Sequence, residues 1–228
     1  MYKDQVRRVA RSLQIPQILS ERQPFPGPGL LVRLVGRFNE EKIKILKKAT
    51  QQTEGKLSRY NIQQYFAVIL DNSNINNVFS DKISKIISEV KESFPKTDLN
   101  INIQILRNKA TGVKGDVRSY GHIAAIEAFQ DGEVYIPPIK DLIKLHVNLV
   151  AKNPEFTRIL FLISDKKPGD YVIAVRAVTT RDFMTASVAE IEPKVLSELA
   201  AEIMVENKSV GCVYYDITQK PPATIEFE

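Results

Sequence analysis

The sequence predicts an α+β protein, with helices layered on β-sheets built from repeated strand–helix–strand units. Two runs, Ile123-Ala124-Ala125-Ile126 and Val172-Ile173-Ala174-Val175, are almost continuously apolar, which marks strands covered on both faces. Between such runs lie segments with apolar residues at helical spacing: Ile83, Ile86, Ile87 and Val90, and then Leu142, Leu145, Val147 and Leu149. The chain also resembles itself. Gly-His-Ile-Ala-Ala-Ile-Glu-Ala from Gly121 stands beside Asp-Tyr-Val-Ile-Ala-Val-Arg-Ala from Asp170, the pattern of an internal duplication.

Taken in order, residues 1–14 read as a helix with Val6, Val9, Ala10 and Leu13 on one face. In the run Pro24-Phe25-Pro26-Gly27-Pro28-Gly29 three prolines alternate with other residues, so neither a helix nor a central strand survives there. That run is expected to be a rigid joint. Leu30 to Val35 reads as a short apolar strand. Asn39 is a good N-cap for a helix running to about Thr53, with Gly55 as its stop.

Three strand–helix–strand units are then expected, over about 64–106, 121–164 and 170–218, followed by a tail, 219–228. Ser80 opens the first helix with Asp81 in its first turn, and Pro138 and Pro193 stand where a helix start tolerates proline.

The bulk numbers exclude several classes. The chain has 228 residues, 43% of them hydrophobic and 26% charged, an ordinary balance for a globular protein. No apolar run approaches the roughly 18 residues of a membrane span, and the N-terminus has no apolar signal core. One cysteine, Cys212, excludes an intrachain disulfide and suits the cytoplasm. With two histidines, His122 and His146, no zinc-ligand spacing exists. A formal net charge of +5 favours anionic partners. The basic residues lack interleaved aromatics and are mixed with acids, so a nucleotide is favoured over nucleic acid.

Two segments are unusually specific. One is Arg22-Gln23-Pro24-Phe25-Pro26-Gly27-Pro28-Gly29-Leu30. The other is the terminal Lys220-Pro221-Pro222-Ala223-Thr224-Ile225-Glu226-Phe227-Glu228. A tail stiffened by two prolines, with a cation at one end and carboxylates at the other, suits closure over a small anionic ligand. Together with three further stretches the two segments resemble the GMP synthase family in its C-terminal, XMP-binding and dimerisation part. The first stretch is Gly112-Val113-Lys114-Gly115-Asp116 with Arg118 and Tyr120. The second is Arg176-Ala177-Val178 followed by Asp182-Phe183-Met184-Thr185-Ala186. The third is Tyr215-Asp216-Ile217-Thr218. Tyr2 to Arg7 is similar to the last helix of the family's ATP-pyrophosphatase domain. The extra length places the chain nearer the family's longer, internally duplicated type.

The resemblance implies a reaction for the complete enzyme. ATP adenylates O2 of XMP, and ammonia then displaces AMP to give GMP. It divides the chain into a terminal helix and joint, 1–29, and a duplicated dimerisation and XMP-binding domain, 30–228. No Ser-Gly-Gly-x-Asp-Ser phosphate loop is present, so no catalytic residue, cofactor or metal is assigned here. ATP and Mg are expected only with a pyrophosphatase domain, and ammonia from a glutamine amidotransferase domain or subunit. The family's XMP contacts carry over to Lys220 at the phosphate, Thr224 beside it, Ile225 packing on the base and Glu226 accepting from the purine. Gln64 carries over as a further nucleotide contact. Asp116, Arg118 and Tyr120 read as a turn with a polar cluster. Asp182, Phe183, Met184 and Thr185 read as a loop at a subunit contact of a homodimer.

The family's arginine three residues before the Tyr-Asp tyrosine is Cys212 here, which takes a phosphate-binding guanidinium away. Arg158, ahead of Ile159-Leu160-Phe161, occupies the comparable place in the second copy. A non-catalytic dimerisation module that has lost nucleotide binding is the alternative this substitution keeps open.

Overall fold

A computed structural model describes residues 3–20, 29–94, 98–115, 117–181 and 184–228. Asp116, Asp182, Phe183 and the segment from Arg22 to Pro28 lie outside the described residues. The elements follow in order: α1 (Lys3–Ser12), α2 (Gln17–Ser20), a 3-10 turn (Gly29–Arg33), α3 (Glu40–Leu57), β1 (Gln64–Asp71), α4 (Ser80–Glu92), β2 (Asn100–Lys114), β3 (Val117–Gln130), β4 (Glu133–Val134), α5 (Ile139–Lys152), β5 (Phe156–Leu162), β6 (Tyr171–Thr179), β7 (Ser187–Val188), α6 (Pro193–Glu206) and β8 (Val210–Asp216).

The strands form one eight-stranded sheet in the order β1-β6-β8-β5-β3-β2, with β4 beside β3 and β7 beside β6. The pairing differs from three consecutive strand–helix–strand units. β1 and β2, the two strands expected in the first unit, are the opposite ends of that order. The arrangement is instead two α–β–β–α–β units. One is α3-β1-β6-α6-β8; the other, α4-β2-β3-α5-β5, is inserted between β1 and β6. The sheet curls enough for its edges to meet at one end. There Ile75 N–H donates to Ile105 C=O at 2.8 Å and Arg107 N–H to Ser73 C=O at 2.9 Å.

Alternation along the strands builds two cores. One face carries Ile69, Ile103, Ile126, Phe161, Val175 and Tyr215 under the helices, whose covering residues include Leu46, Val90, Leu145 and Leu199. The other face carries Phe66, Ile123, Leu160, Val172 and Tyr214 and is closed by Phe227 of the tail.

Asn39 caps α3 as expected, accepting from Lys42 N–H at 2.7 Å. The helix nevertheless passes through Gly55 to Leu57, because Gly55 faces open space where a missing side chain costs only intrinsic propensity. The expected strand from Leu30 to Val35 is a 3-10 turn as far as Arg33, and the two residues after it make one parallel bridge, Leu34 to Ile69, with Val35 N–H bonding Ile69 C=O at 3.0 Å. This geometry turns Arg33 inward.

Candidate functional site

Two strands in the middle of the sheet each bury an arginine in an otherwise apolar run: Arg158 in β5 and Arg176 in β6. A buried guanidinium demands acceptors on all sides. β8 supplies the first with its last residue, Asp216. Its Oδ2 accepts from Arg176 Nη1 at 2.7 Å and Arg158 Nη1 at 3.0 Å, all three side chains being fully buried. Burial pushes the Asp216 carboxyl up, but Arg176 and Arg158 outweigh this and hold it below its ordinary value. Burial and the charge of Arg176 draw Arg158 down to about 9 against the pull of Asp216, which leaves it a cation at neutral pH.

Two cations against one anion leave donors over, and the C-terminal tail receives them. Arg176 Nη2 donates to Thr224 C=O at 3.0 Å and its Nη1 to Thr218 C=O at 2.9 Å. Arg158 Nη2 donates to the Thr224 hydroxyl at 2.9 Å, to Glu226 C=O and to Thr111 C=O. Its guanidinium lies 4.3 Å from the centre of the Phe227 ring. The tail is also stitched to β2. Val113 N–H donates to Pro222 C=O at 2.6 Å and Thr111 N–H to Phe227 C=O at 2.8 Å. Gly112 permits this approach, since a Cβ there would stand 2.6 Å from Thr157 Cγ2 and 2.8 Å from Pro222 O.

The structure brings Thr224, Ile225 and Glu226 together on this buried cluster. The Thr224 hydroxyl is engaged within the protein, accepting from Arg158 and facing Thr111 C=O at 3.0 Å. Ile225 packs half-buried against the inner core. Glu226 pairs with Arg33, Nε to Oε2 and Nη2 to Oε1 both at 3.1 Å, and Arg33 in turn stacks 4.0 Å from the Phe66 ring centre. Lys220 stands farther along, its backbone bridged to Ala186 by bonds of 2.9 and 3.1 Å. Gln64 is buried at the start of β1, opposite Val178. It lies at the Lys220 end of the sheet, because β6 also pairs with β7, next to Ala186.

Two clefts flank the approach to β1. One, of about 510 Å³, is lined by Asn61, Gln63, Thr179, Thr180 and Arg181; the other, of about 660 Å³, by Arg7, Arg11, Asn61, Gln63 and Tyr65.

Arg118 and Tyr120 lie on β3 in the hairpin that β2 and β3 make, with Gly115 at its tip in a left-handed conformation, φ +59. Tyr120 is exposed and its hydroxyl reaches Glu228 at 3.4 Å. Met184 is exposed as well, and Thr185 C=O accepts from the Thr180 hydroxyl. Cys212 is buried beside Tyr214, Lys166 and Glu127, and burial pushes its thiol up to about 11, a value at which it stays protonated. Among the described residues no group of three or more His, Cys, Asp or Glu is placed to hold a metal ion, and no helix is long and apolar enough to cross a membrane.

Arg33, Arg176 and Asp216 are the site residues that sequence reasoning did not assign a role. An arginine inside an apolar strand was the available signal, since such a residue requires a partner elsewhere in the chain.

Known proteins resemble this chain along its whole length. The model of the family described as GMP synthase C terminal domain matches residues 156–227, which hold Arg158, Arg176, Asp216 and most of the tail. A glutamine-hydrolyzing GMP synthase subunit of Sulfurisphaera tokodaii is 43% identical over 230 residues, taking in 100% of this chain and 55% of that protein. The protein of the same description in Saccharolobus solfataricus is 40% identical over 229 residues, 100% of this chain and 54% of that protein. That of Archaeoglobus fulgidus is 34% identical over 228 residues, 100% of this chain and 47% of that protein. The chain thus spans about half the length of the curated relatives it matches. Its residues 156–227 belong to the GMP synthase C-terminal domain family, and the chain as a whole is related to about half of each of these GMP synthase proteins.

Proposed function

We propose that this chain is the XMP-binding and dimerisation portion of a GMP synthase and contributes to the ATP-dependent amination of XMP to GMP. The observation that carries this reading is the tail's docked conformation, in which Arg33 fixes the carboxylate of Glu226. A carboxylate offers about four lone-pair sites. The bidentate pair uses one on each oxygen, and the Glu226 side chain keeps 17% exposure, so acceptor capacity remains for the N–H groups of a purine. Lys220, at the far end of the tail, is the point charge for the phosphate. Ile225 packs on the base, Thr224 acts through the backbone it orders, and Gln64 adds a polar contact from β1.

ATP and Mg are held by a pyrophosphatase domain, joined in cis or supplied in trans, and this chain does not turn over by itself. A glutamine amidotransferase domain or subunit is the ammonia source, in keeping with relatives described as one subunit of a glutamine-hydrolysing enzyme. A cytoplasmic location goes with the reading. Self-association as a twofold dimer is part of it too, and Val117 and Tyr120 of the β2–β3 hairpin and Met184, 70%, 56% and 69% exposed, offer apolar surface for it. Equilibrium dialysis with labelled XMP tests the proposal. Saturable uptake, displaced more readily by XMP than by GMP or AMP, supports it; uptake that never saturates contradicts it.

A further inference from the structure

The sheet pairing carries a pseudo-twofold relation between the outer and the inserted unit. β3 pairs β5 in parallel with His122 opposite Phe156, a register shift, then Ile123 opposite Arg158. β6 pairs β8 in parallel with Tyr171 opposite Val210, a register shift, then Val172 opposite Cys212. At the seam β5 and β8 run antiparallel, with Phe161 opposite Tyr215 and the pairs Leu160–Asp216 and Leu162–Tyr214 on either side. The hydrogen bonds repeat across this seam. Ile159 N–H donates to Thr218 Oγ1 at 2.8 Å, and Val213 N–H to Ser164 Oγ at 2.8 Å. Ile217 N–H donates to Ile159 C=O at 3.1 Å, and Ile163 N–H to Val213 C=O at 3.0 Å. The relation places Cys212 at the counterpart of Arg158, Glu127 at that of Arg176, Leu162 at that of Asp216 and Lys166 at that of Lys220.

Apart from the lysines, equivalent positions carry different chemistry. Around the tail, Arg158 and Arg176 carry donors beyond those Asp216 takes up, and Thr224 and Glu226 of the tail accept three of them, beside Thr111 C=O and Thr218 C=O. Around the counterpart, Glu127 is satisfied by side chains of the sheet and its flanks. It accepts from Tyr214 at 2.8 Å, Lys166 at 2.7 Å, Gln104 at 2.8 Å and Asn102 at 2.7 Å. That site is closed on itself, and the chain runs on from Lys166 into β6.

We propose that Arg158, supplied across the pseudo-twofold seam by the inserted unit, is the positioning residue of the C-terminal tail, and that the chain builds one tail clasp rather than two. Arg158 belongs to the inserted unit, whereas the Thr224 and Glu226 it holds follow β8 of the outer one. Cys212 faces the closed counterpart, so its lack of a guanidinium leaves the tail clasp intact. The proposal rests on the reading of the tail as a ligand-binding element and adds which residue sets its geometry.

Amide hydrogen exchange on Arg158→Met tests it. The Thr111 and Val113 amides, bonded to tail carbonyls, report docking; the Ile123 to Ile126 amides report the sheet. The expected result is at least tenfold faster exchange at Thr111 and Val113 with the sheet amides unchanged, and XMP binding at least tenfold weaker. Thr224→Val removes the hydroxyl partner while leaving the Arg158–Asp216 pair, and gives the same change in smaller degree should Arg158→Met not fold. Cys212→Ser leaves both readouts unchanged. Unaltered exchange at Thr111 and Val113 in Arg158→Met and Thr224→Val overturns the proposal, as does equal loosening of the tail by Cys212→Ser. If the tail loosens in Arg158→Met but the parent chain binds no XMP, the ligand reading fails and the clasp stands.

Discussion

Arg33 and Glu226, 193 positions apart, meet as a two-point ion pair at the surface of the inner core. The guanidinium is buried against Phe66 while the carboxylate keeps an exposed edge. The asymmetry orders the cost of breaking the pair. Glu226→Gln takes the negative charge away from a buried cation and should lower stability by about 2–3 kcal/mol. Arg33→Met keeps the packing and leaves a carboxylate that water can reach, so its cost should be about 1–2 kcal/mol. Urea unfolding of the two variants checks the order; a larger loss for Arg33→Met contradicts it.

Asp216 should be the least replaceable residue of the cluster. Asp216→Asn leaves two buried guanidiniums facing each other and should cost about 3–5 kcal/mol, the range for breaking a buried pair. Because the folded carboxyl is held below its ordinary value, its contribution is complete above the ordinary carboxylate range and is lost only as pH falls through the depressed value. Acid unfolding followed by circular dichroism should therefore begin at higher pH in the variant or be replaced by instability at all pH.

His146 supplies a second, milder pH dependence. Burial depresses its imidazole from 6.5 to about 4, with Asp216 pulling upward and Arg176 downward. The unfolded chain takes up this proton from about pH 6.5 downward, whereas the folded chain resists until about 4. Stability should thus decline between those values, by at most roughly 3 kcal/mol. His146→Leu should flatten that part of the curve; an unchanged slope in denaturant midpoints between pH 7 and 4 contradicts the assignment.

Gly112→Ala should loosen the tail without touching its charges. The new methyl meets Thr157 and the Pro222 carbonyl, so about 1–3 kcal/mol of overpacking is expected. Limited proteolysis should then cut within residues 219–228 sooner than in the parent, and Thr157→Ser, which removes Cγ2, the nearest of the three close atoms, should restore part of the resistance. Equal cutting rates in parent and variant contradict the close-approach argument.

The strands that proved central were legible because β5, β6 and β8 are short, mostly apolar runs rich in Val, Ile, Leu and aromatics, each preceded by a polar residue. The hairpin of β2 and β3 was underestimated, as its outer half alternates with Lys109, Thr111, Arg118 and Tyr120 and reads as polar turn. Strand order was not legible, since the partner of β1 is β6, beyond an inserted unit, and alternation says nothing about which edge pairs with which. The tail's importance was readable from its prolines and charges. Its anchors were not, because Arg176 meets Asp216 only through the pairing of β6 with β8, Arg33 meets Glu226 only across 193 positions, and Arg158 reaches the tail only when the two units pair across the seam.

On the proposed reading, the docked tail should contact a purine monophosphate through Glu226 and Lys220 separately. Titration calorimetry of XMP and GMP into the chain, Lys220→Ala and Glu226→Gln separates the two roles. The parent should bind XMP more tightly than GMP. Lys220→Ala should weaken both alike, because the phosphate is common to them, and Glu226→Gln should remove the preference for XMP while keeping the phosphate contribution. An XMP preference that persists undiminished in Glu226→Gln, or no XMP heat from the parent chain, would contradict it.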